Sequence, residues 1–325
     1  MKTNKINTTR PSYQKRNWSA YNQALVARGS LSLWLSQEAI ASWRAPRSVN
    51  CKKNGHPFWY SNTCIVALGC IREVTGLGLR QTIGLAQERF RATGLELAVP
   101  DYTQLCRRLR HAKLPVSSRT RLPSGNLVLL VDSTGVKVSG EGNWKIRMHG
   151  KAHATKWRKL HVLTDYASGK IVAHHLEDAP RPDWSQTARL LRALPAHFHC
   201  QLKGSTLIGD GAYDVKPVRR LMATYGGHAL APPGKAAILH PRDPILTLRN
   251  EAIRFIAAHG TTNWKVASGY SRRSRIEATM WRYKSAFGDR LSARTDEAQS
   301  SQVSFRSFIL NQWLEQGMPA GSGHS

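Results

Sequence analysis

Near the C-terminal end the chain reads YSRRSRIEATMWRYK from Tyr270 to Lys284. Its spacing predicts a helix from about Ser274, which places Glu277, Trp281 and Lys284 at i, i+4 and i+7 on one face, with Arg273 one turn upstream. A carboxylate amid five neighbouring cations (Arg272, Arg273, Arg275, Arg282 and Lys284) is expected to stay ionised, the state in which it ligates a divalent metal. Taken alone, the window reads better as a solvated helix face with incidental ion pairs. Acids elsewhere in the chain reverse that reading.

Asp132 and Asp210 each follow an apolar strand run, LVLLV and TLI, and each precedes small residues, so both are expected to project from strand ends into one crevice. Glu277 would arrive from a helix packed across the same sheet. Three acids converging from separate elements repel one another unless divalent cations neutralise them. Two ions about 4 Å apart would stabilise the attacking and leaving oxygens of an in-line phosphoryl displacement. Oxygen-only ligands suit Mg²⁺, with Mn²⁺ as substitute, better than zinc. Each aspartate taken singly is equally a turn or cap residue; Asp214, in the same GDGAYD stretch as Asp210, is read as one.

The elements that must position these acids follow from periodicity. Apolar residues three and four apart predict helices from Tyr21 to about Leu114. Within them, two short helices flank a turn from Gly94 to Pro100, with Asp101 as N-cap and Arg107, Arg108, Arg110 and His111 on the second, which suits a helix-turn-helix. The Ser, Pro, Gly and Arg of residues 117–126 read as a linker. Beyond it the period becomes strand-like. NLVLLVDSTGVKV predicts a strand, a turn at Gly135 and a second short strand; a hairpin follows, from Lys159 over Ser168 and Gly169 to His175. Then come a helix capped by Asp183, a strand ending at Asp210, a helix from about Val215, a short strand at GHALAPPG and further helices. The expected fold is α/β: a mixed sheet flanked by helices, preceded by a mostly helical DNA-binding domain. Expected boundaries are a basic arm over 1–17, the helical domain over 18–120, the catalytic domain over 121–312 and a flexible tail over 313–325.

Forty-eight basic against 20 acidic residues in a chain of 325 leave a net charge of +28. Charge spread along the whole length points to a polyanion, above all double-stranded DNA, and away from a membrane surface. Five cysteines without a CxxC pair speak for a reducing compartment and against both disulfides and a cysteine zinc site. A polar, basic N-terminus and the lack of a long apolar run predict neither signal peptide nor membrane span, hence a cytoplasmic, nucleoid-associated protein.

LVDSTGVKV, GEGNWKIRMHGK, KWRKLHVLTD, IGDGAYD and YSRRSRIEATMWRYKSAFGDRLSAR resemble the catalytic domain of bacterial insertion-sequence transposases of the DDE class, in particular the insertion-sequence-five family. That family's signature Tyr-x2-Arg-x3-Glu-x6-Lys is matched without a gap by Tyr270, Arg273, Glu277 and Lys284. The resemblance spans about residues 79–295. It implies a ribonuclease H-like fold, metal ligation by Asp132, Asp210 and Glu277, and DNA contact by Tyr270, Arg273 and Lys284. Between the first two aspartates, His149, Lys151, His153, Lys156, Arg158, Lys159 and His161 lie where a substrate strand would pass, as phosphate contacts or as a solvated basic hairpin. Trp144, Trp157 and Trp281 would stack on a splayed base, although core packing is the expected fate of at least two. The implied reaction is hydrolysis of one strand at each terminal inverted repeat, followed by attack of the freed 3′-hydroxyl on target DNA, by a homodimer or higher oligomer. A hydrolysis-only ribonuclease H-fold nuclease and a domesticated, non-catalytic DNA-binding regulator are the competing readings; the presence of all three acids counts against the latter.

Overall fold

A computed structural model describes residues 17–46, 59–115, 126–138, 157–178 and 181–317. Lys151, together with His149, His153, Lys156 and Trp144, lies outside them, as do nearly all of the expected arm and linker.

Apolar side chains on both faces of β1 (Val128–Val138) make it the central strand. Leu129 and Val131 point into one apolar layer with Leu190, Leu191, Phe198 and Met222, while Leu130 points into another with Trp264 and Ile276. β2 (Trp157–Asp165) and β3 (Ile171–Asp178) continue the sheet antiparallel on one side; β4 (Thr206–Ile208) and β5 (His228–Leu230) continue it parallel on the other, giving the order β3-β2-β1-β4-β5. A short β6 (Arg290–Leu291) pairs with the end of β1. This mixed sheet with helices on both faces is the ribonuclease H-like arrangement.

Two expectations need correction. β1 does not turn at Gly135 but runs through it to Val138, because Gly135 faces the Trp157 indole, whose ring would sit 3.1 Å from an added Cβ. Asp183 does not cap a long helix: a 3-10 turn (Asp183–Gln186) leads into the short α6 (Thr187–Arg192), Pro195 interrupts, and α7 (Ala196–His199) follows.

The N-terminal part is helical: α1 (Trp18–Arg28), α2 (Gln37–Ala41), α3 (Asn62–Thr75), α4 (Leu79–Ala92) and α5 (Tyr102–Leu109). Asp101 caps α5 by accepting from the N–H groups of Thr103 and Gln104. On the C-terminal side are α8 (Lys216–Thr224), α9 (Thr247–Ala267, broken at Gly260, φ 82°), α10 (Ser274–Phe287) and α11 (Asp296–Glu315). Helix α11 joins the two halves. Its Phe305 and Ile309 complete the core of α3, α4 and α5, while its Val303 and Leu310 pack with Val136 and Leu160 of the sheet. It continues to Glu315, past the expected start of the tail. Among the described residues no helix is long and apolar enough to cross a membrane.

Candidate active site

The GDGAYD segment turns sharply after β4. Asp210 opens a 3-10 turn (Gly211–Tyr213) and its Oδ1 accepts from the Ala212 N–H at 2.9 Å. Gly209 is required there, since an added Cβ would lie 2.7 Å from the Tyr213 ring. Asp132 projects from β1 and accepts from the Ser133 N–H at 2.8 Å. Helix α10 starts at Ser274, where its periodicity placed it, burying Ile276, Thr279, Met280 and Tyr283 and leaving Glu277, Trp281 and Lys284 exposed.

Two of the three acids, Asp132 and Glu277, meet on Arg273, and Asp210 lies within reach of their charges. The Arg273 guanidinium donates to Asp132 Oδ2 at 3.1 Å and to Glu277 Oε1 at 2.5 Å, joining the central strand to α10. Burial raises the Asp132 pKa from its ordinary value; the charges of Asp210 and Glu277 add to the rise, opposed by the Ser133 N–H and by Arg273. Burial works against the Arg273 charge, yet Asp132, Tyr270, Glu277 and Asp210 more than restore it. Among the described residues no three or more His, Cys, Asp or Glu side chains are already gathered around one metal position. The mutual repulsion of Asp132 and Glu277 is relieved instead by this one guanidinium.

The cation-rich surroundings expected for Glu277 shrink accordingly. Arg272 and Arg275 sit over the Tyr166 ring, and Arg282 donates to the Ala278 carbonyl and the Thr279 hydroxyl, which leaves Arg273 as the cation at hydrogen-bond distance. Tyr270 is buried against Trp264 and fixes the turn that carries Arg273. Asp214 is structural, paired with Arg219 at 2.6 Å and Arg249 at 3.0 Å.

Several expected DNA contacts are engaged within the protein. Arg158 is buried and pairs with Asp178 at 3.0 Å and Asp296 at 3.2 Å. Lys159 holds Asp183 at 2.6 Å, and Arg108 donates to the Tyr60 carbonyl. Arg107 and Lys284 are exposed. Trp157 and Trp281 are 45% and 69% exposed, so neither is a core residue.

Residue types alone did not single out Tyr213. Its hydroxyl is buried without a hydrogen-bond partner among the described residues and is pushed up, first by burial and then by the charges of Asp183, Asp132 and Asp210. The available signal was its place three residues after Asp210.

A family model described as a transposase DDE domain matches residues 123–312, more than half of the chain, and a second with the same description matches residues 26–141. The chain belongs to the DDE transposase family. This transposase therefore comes from a family of metal-dependent enzymes that cut DNA and transfer strands. The matches are compatible with the narrower insertion-sequence-five resemblance without reaching that level. Similar solved structures include a pre-cleavage Mos1 transpososome, at 14% identity over 84% of each chain with a TM-score of 0.24. Another is the Mos1 mariner paired end complex with Mn, at 13% identity over 83% of this transposase and 82% of that chain with a TM-score of 0.24. At such scores the superposition carries no argument about the site.

Proposed function

We propose that Asp132, Asp210 and Glu277 are the catalytic carboxylates with which this transposase cuts the ends of its mobile element and joins them to target DNA, and that they hold a pair of Mg²⁺ ions. The observation that carries the reading is the Arg273 bridge: two acids from a strand and a helix remote in sequence meet on one cation, within the field of the third. The donor set fits a hard divalent ion, being all carboxylate oxygen and already drawing an internal cation to relieve its repulsion. Bound there, divalent ions would neutralise charge developing on the phosphoryl oxygens and ready water or a 3′-hydroxyl for attack.

The chain's own residues supply position. The rigid β1 fixes Asp132, the turn after β4 fixes Asp210, and Arg273 holds Asp132 and Glu277 in register. A DNA phosphate entering the crevice would compete for the same guanidinium and release both carboxylates to the metal. Exposed Lys284, farther along α10, offers a phosphate contact.

The test is cleavage and strand transfer of inverted-repeat DNA with Mg²⁺ or Mn²⁺. Asp132→Asn and Asp210→Asn should each lower cleavage by about a thousandfold or more, which corresponds to ~4 kcal/mol of transition-state stabilisation. Full cutting in EDTA, or by either variant, would overturn the assignment.

A further inference from the structure

A pocket of about 280 Å³ lies behind α10, between the end of α1, the turn joining β2 to β3 and the last turns of α11. Thr279, Arg282 and Ala286 line it from the side of α10 turned away from Glu277, so it is separate from the crevice of the three acids. Ile171, Leu310 and Leu314 supply apolar walls, and the exposed indole of Trp281 joins them. Among the described residues the lining holds two arginines, Arg28 and Arg282, and no carboxylate.

The two arginines crowd each other. Burial lowers the Arg282 pKa first, and the charges of Arg275 and Arg28 lower it further. Arg282 donates to the Ala278 carbonyl and the Thr279 hydroxyl, and Arg28 to the Gly317 carbonyl at 2.7 Å, all of them neutral acceptors. Two further donors of the lining residues, Arg28 Nε and Trp313 Nε1, are closed to solvent and have no acceptor among the described residues. The Trp313 ring is fixed by stacking on Phe287, with centroids 5.8 Å apart. Buried donors without acceptors are rare, because nothing offsets their lost hydration. What this pocket lacks is an acceptor, and what it has in surplus is positive charge.

We propose that this pocket binds a small aryl carboxylate, with the carboxylate accepting from Arg28 and Trp313 and the ring lying against Trp281. A carboxylate has acceptor positions enough for several donors at once and pairs with a guanidinium in a fixed geometry. A phosphate dianion would bring more charge and a further oxygen against walls that are largely apolar, at a greater desolvation cost. The volume is at the lower end for ligand pockets, which suits a body of one or two rings, and an aromatic body gains from the exposed indole. The occupant would touch both α1, which buries none of its own residues, and α10, which carries Glu277. Its binding would therefore tie the N-terminal helix to the catalytic half.

Naphthoate is the probe and its neutral carboxamide the control, each titrated calorimetrically into the full-length protein without DNA. EDTA is present, so that no divalent ion carries the carboxylate. Naphthoate should bind at a single site, and the carboxamide at least about tenfold more weakly. Because a chain of net charge +28 collects anions without specificity, a point variant must localise the binding. Arg28→Gln keeps a donor for the Gly317 carbonyl while removing the charge, and should weaken naphthoate by at least about tenfold. Trp313→Phe identifies, by its loss, the Trp313 indole N–H resonance in protein carrying isotope-labelled tryptophan. Naphthoate should move that resonance downfield in the parent protein, as its N–H gains an acceptor. Equal affinity for the carboxamide, unchanged affinity in folded Arg28→Gln, or an unmoved Trp313 resonance at saturating naphthoate each overturns the proposal. Should Arg28→Gln fail to fold, the carboxamide comparison and the Trp313 resonance decide in the parent protein alone. Tighter binding of naphthyl phosphate than of naphthoate overturns the choice of a carboxylate.

Discussion

Two carboxylate–arginine clusters in this molecule invite opposite conclusions. At the seam between the helical unit and α11, Glu73 is buried and saturated: Arg306 donates at 2.9 Å, Arg72 at 2.9 Å and Gln302 at 3.0 Å. At the crevice, Glu277 has a side chain 59% exposed with a single arginine partner, and Asp132, although far less exposed, still feels two other acids. A buried carboxylate whose lone pairs are filled by the protein has no capacity left for a ligand, whereas under-coordinated acids gathered together retain it. The same residue types therefore hold the fold in one place and await a substrate in the other.

The sharpest way to break this contrast is to remove each charge and keep its shape. Glu277→Gln should lower cleavage by about a hundredfold or more, leave DNA binding intact or tighter, and change stability by less than about 0.5 kcal/mol, as expected for an exposed side chain. Glu73→Gln should do the reverse. It leaves Arg306 buried with a neutral partner and should cost about 3 kcal/mol of unfolding free energy, while cleavage per folded molecule is retained. Denaturant unfolding and single-turnover cleavage of both variants decide the matter; a stable Glu73→Gln or an active Glu277→Gln erases the distinction.

Much of the crevice was legible in the sequence because its signals are local. A 3.6-residue period fixed the start of α10 at Ser274, and an apolar run placed Asp210 just beyond the end of β4, whereas Asp132, expected at a strand end, lies inside β1, which runs on to Val138. The fates of the basic residues were not legible, because their partners are distant in sequence. Arg158 finds Asp296 and Gln299 on α11, Lys159 finds Asp183, and Arg108 finds the Tyr60 carbonyl. Gly135 looked like a turn because the indole that fills the space over it belongs to the neighbouring strand. Helix α11 shows little amphipathic asymmetry because it buries one set of residues in the helical unit and another against the sheet.

Histidines behind the sheet provide a smaller effect. His161 of β2 is fully buried, its ring nitrogens without a hydrogen-bond partner among the described residues and Glu177 Oε2 3.9 Å from Nε2, and burial, helped by His175 and Lys159 and opposed by Asp183, lowers its pKa to about 4. His174 is lowered to about 4, chiefly by burial and further by His175. Because these folded-state values lie below the unfolded value of about 6.5, the unfolded chain binds more protons between the two, so stability is full above about pH 6.5 and is lost as pH falls toward 4. For His161 the loss is on the order of 3 kcal/mol across that window. Melting temperature should fall steadily from pH 7 to pH 5, and His161→Gln should flatten the fall; a flat profile in the parent protein would place these rings in water.

The smallest expected effect sharpens the crevice from its rim. Lys284 is exposed on the same face of α10 as Glu277. Nearby Asp289 is held low first by its hydrogen bond to Lys137, at 2.7 Å, with Lys284 a lesser contributor to the same lowering. Lys284 is therefore not needed to neutralise a buried group, and removing it should not disturb packing. Lys284→Ala should shift stability by less than about 0.5 kcal/mol and lower the salt slope of DNA binding by about one unit. Cleavage should return at saturating DNA, because the side chain grips a phosphate and takes no part in the chemistry. If Lys284→Ala instead abolishes cutting with affinity and salt slope unchanged, the side chain acts on the reacting phosphate itself. The boundary between grip and chemistry along α10 would then lie beyond Glu277, at Lys284.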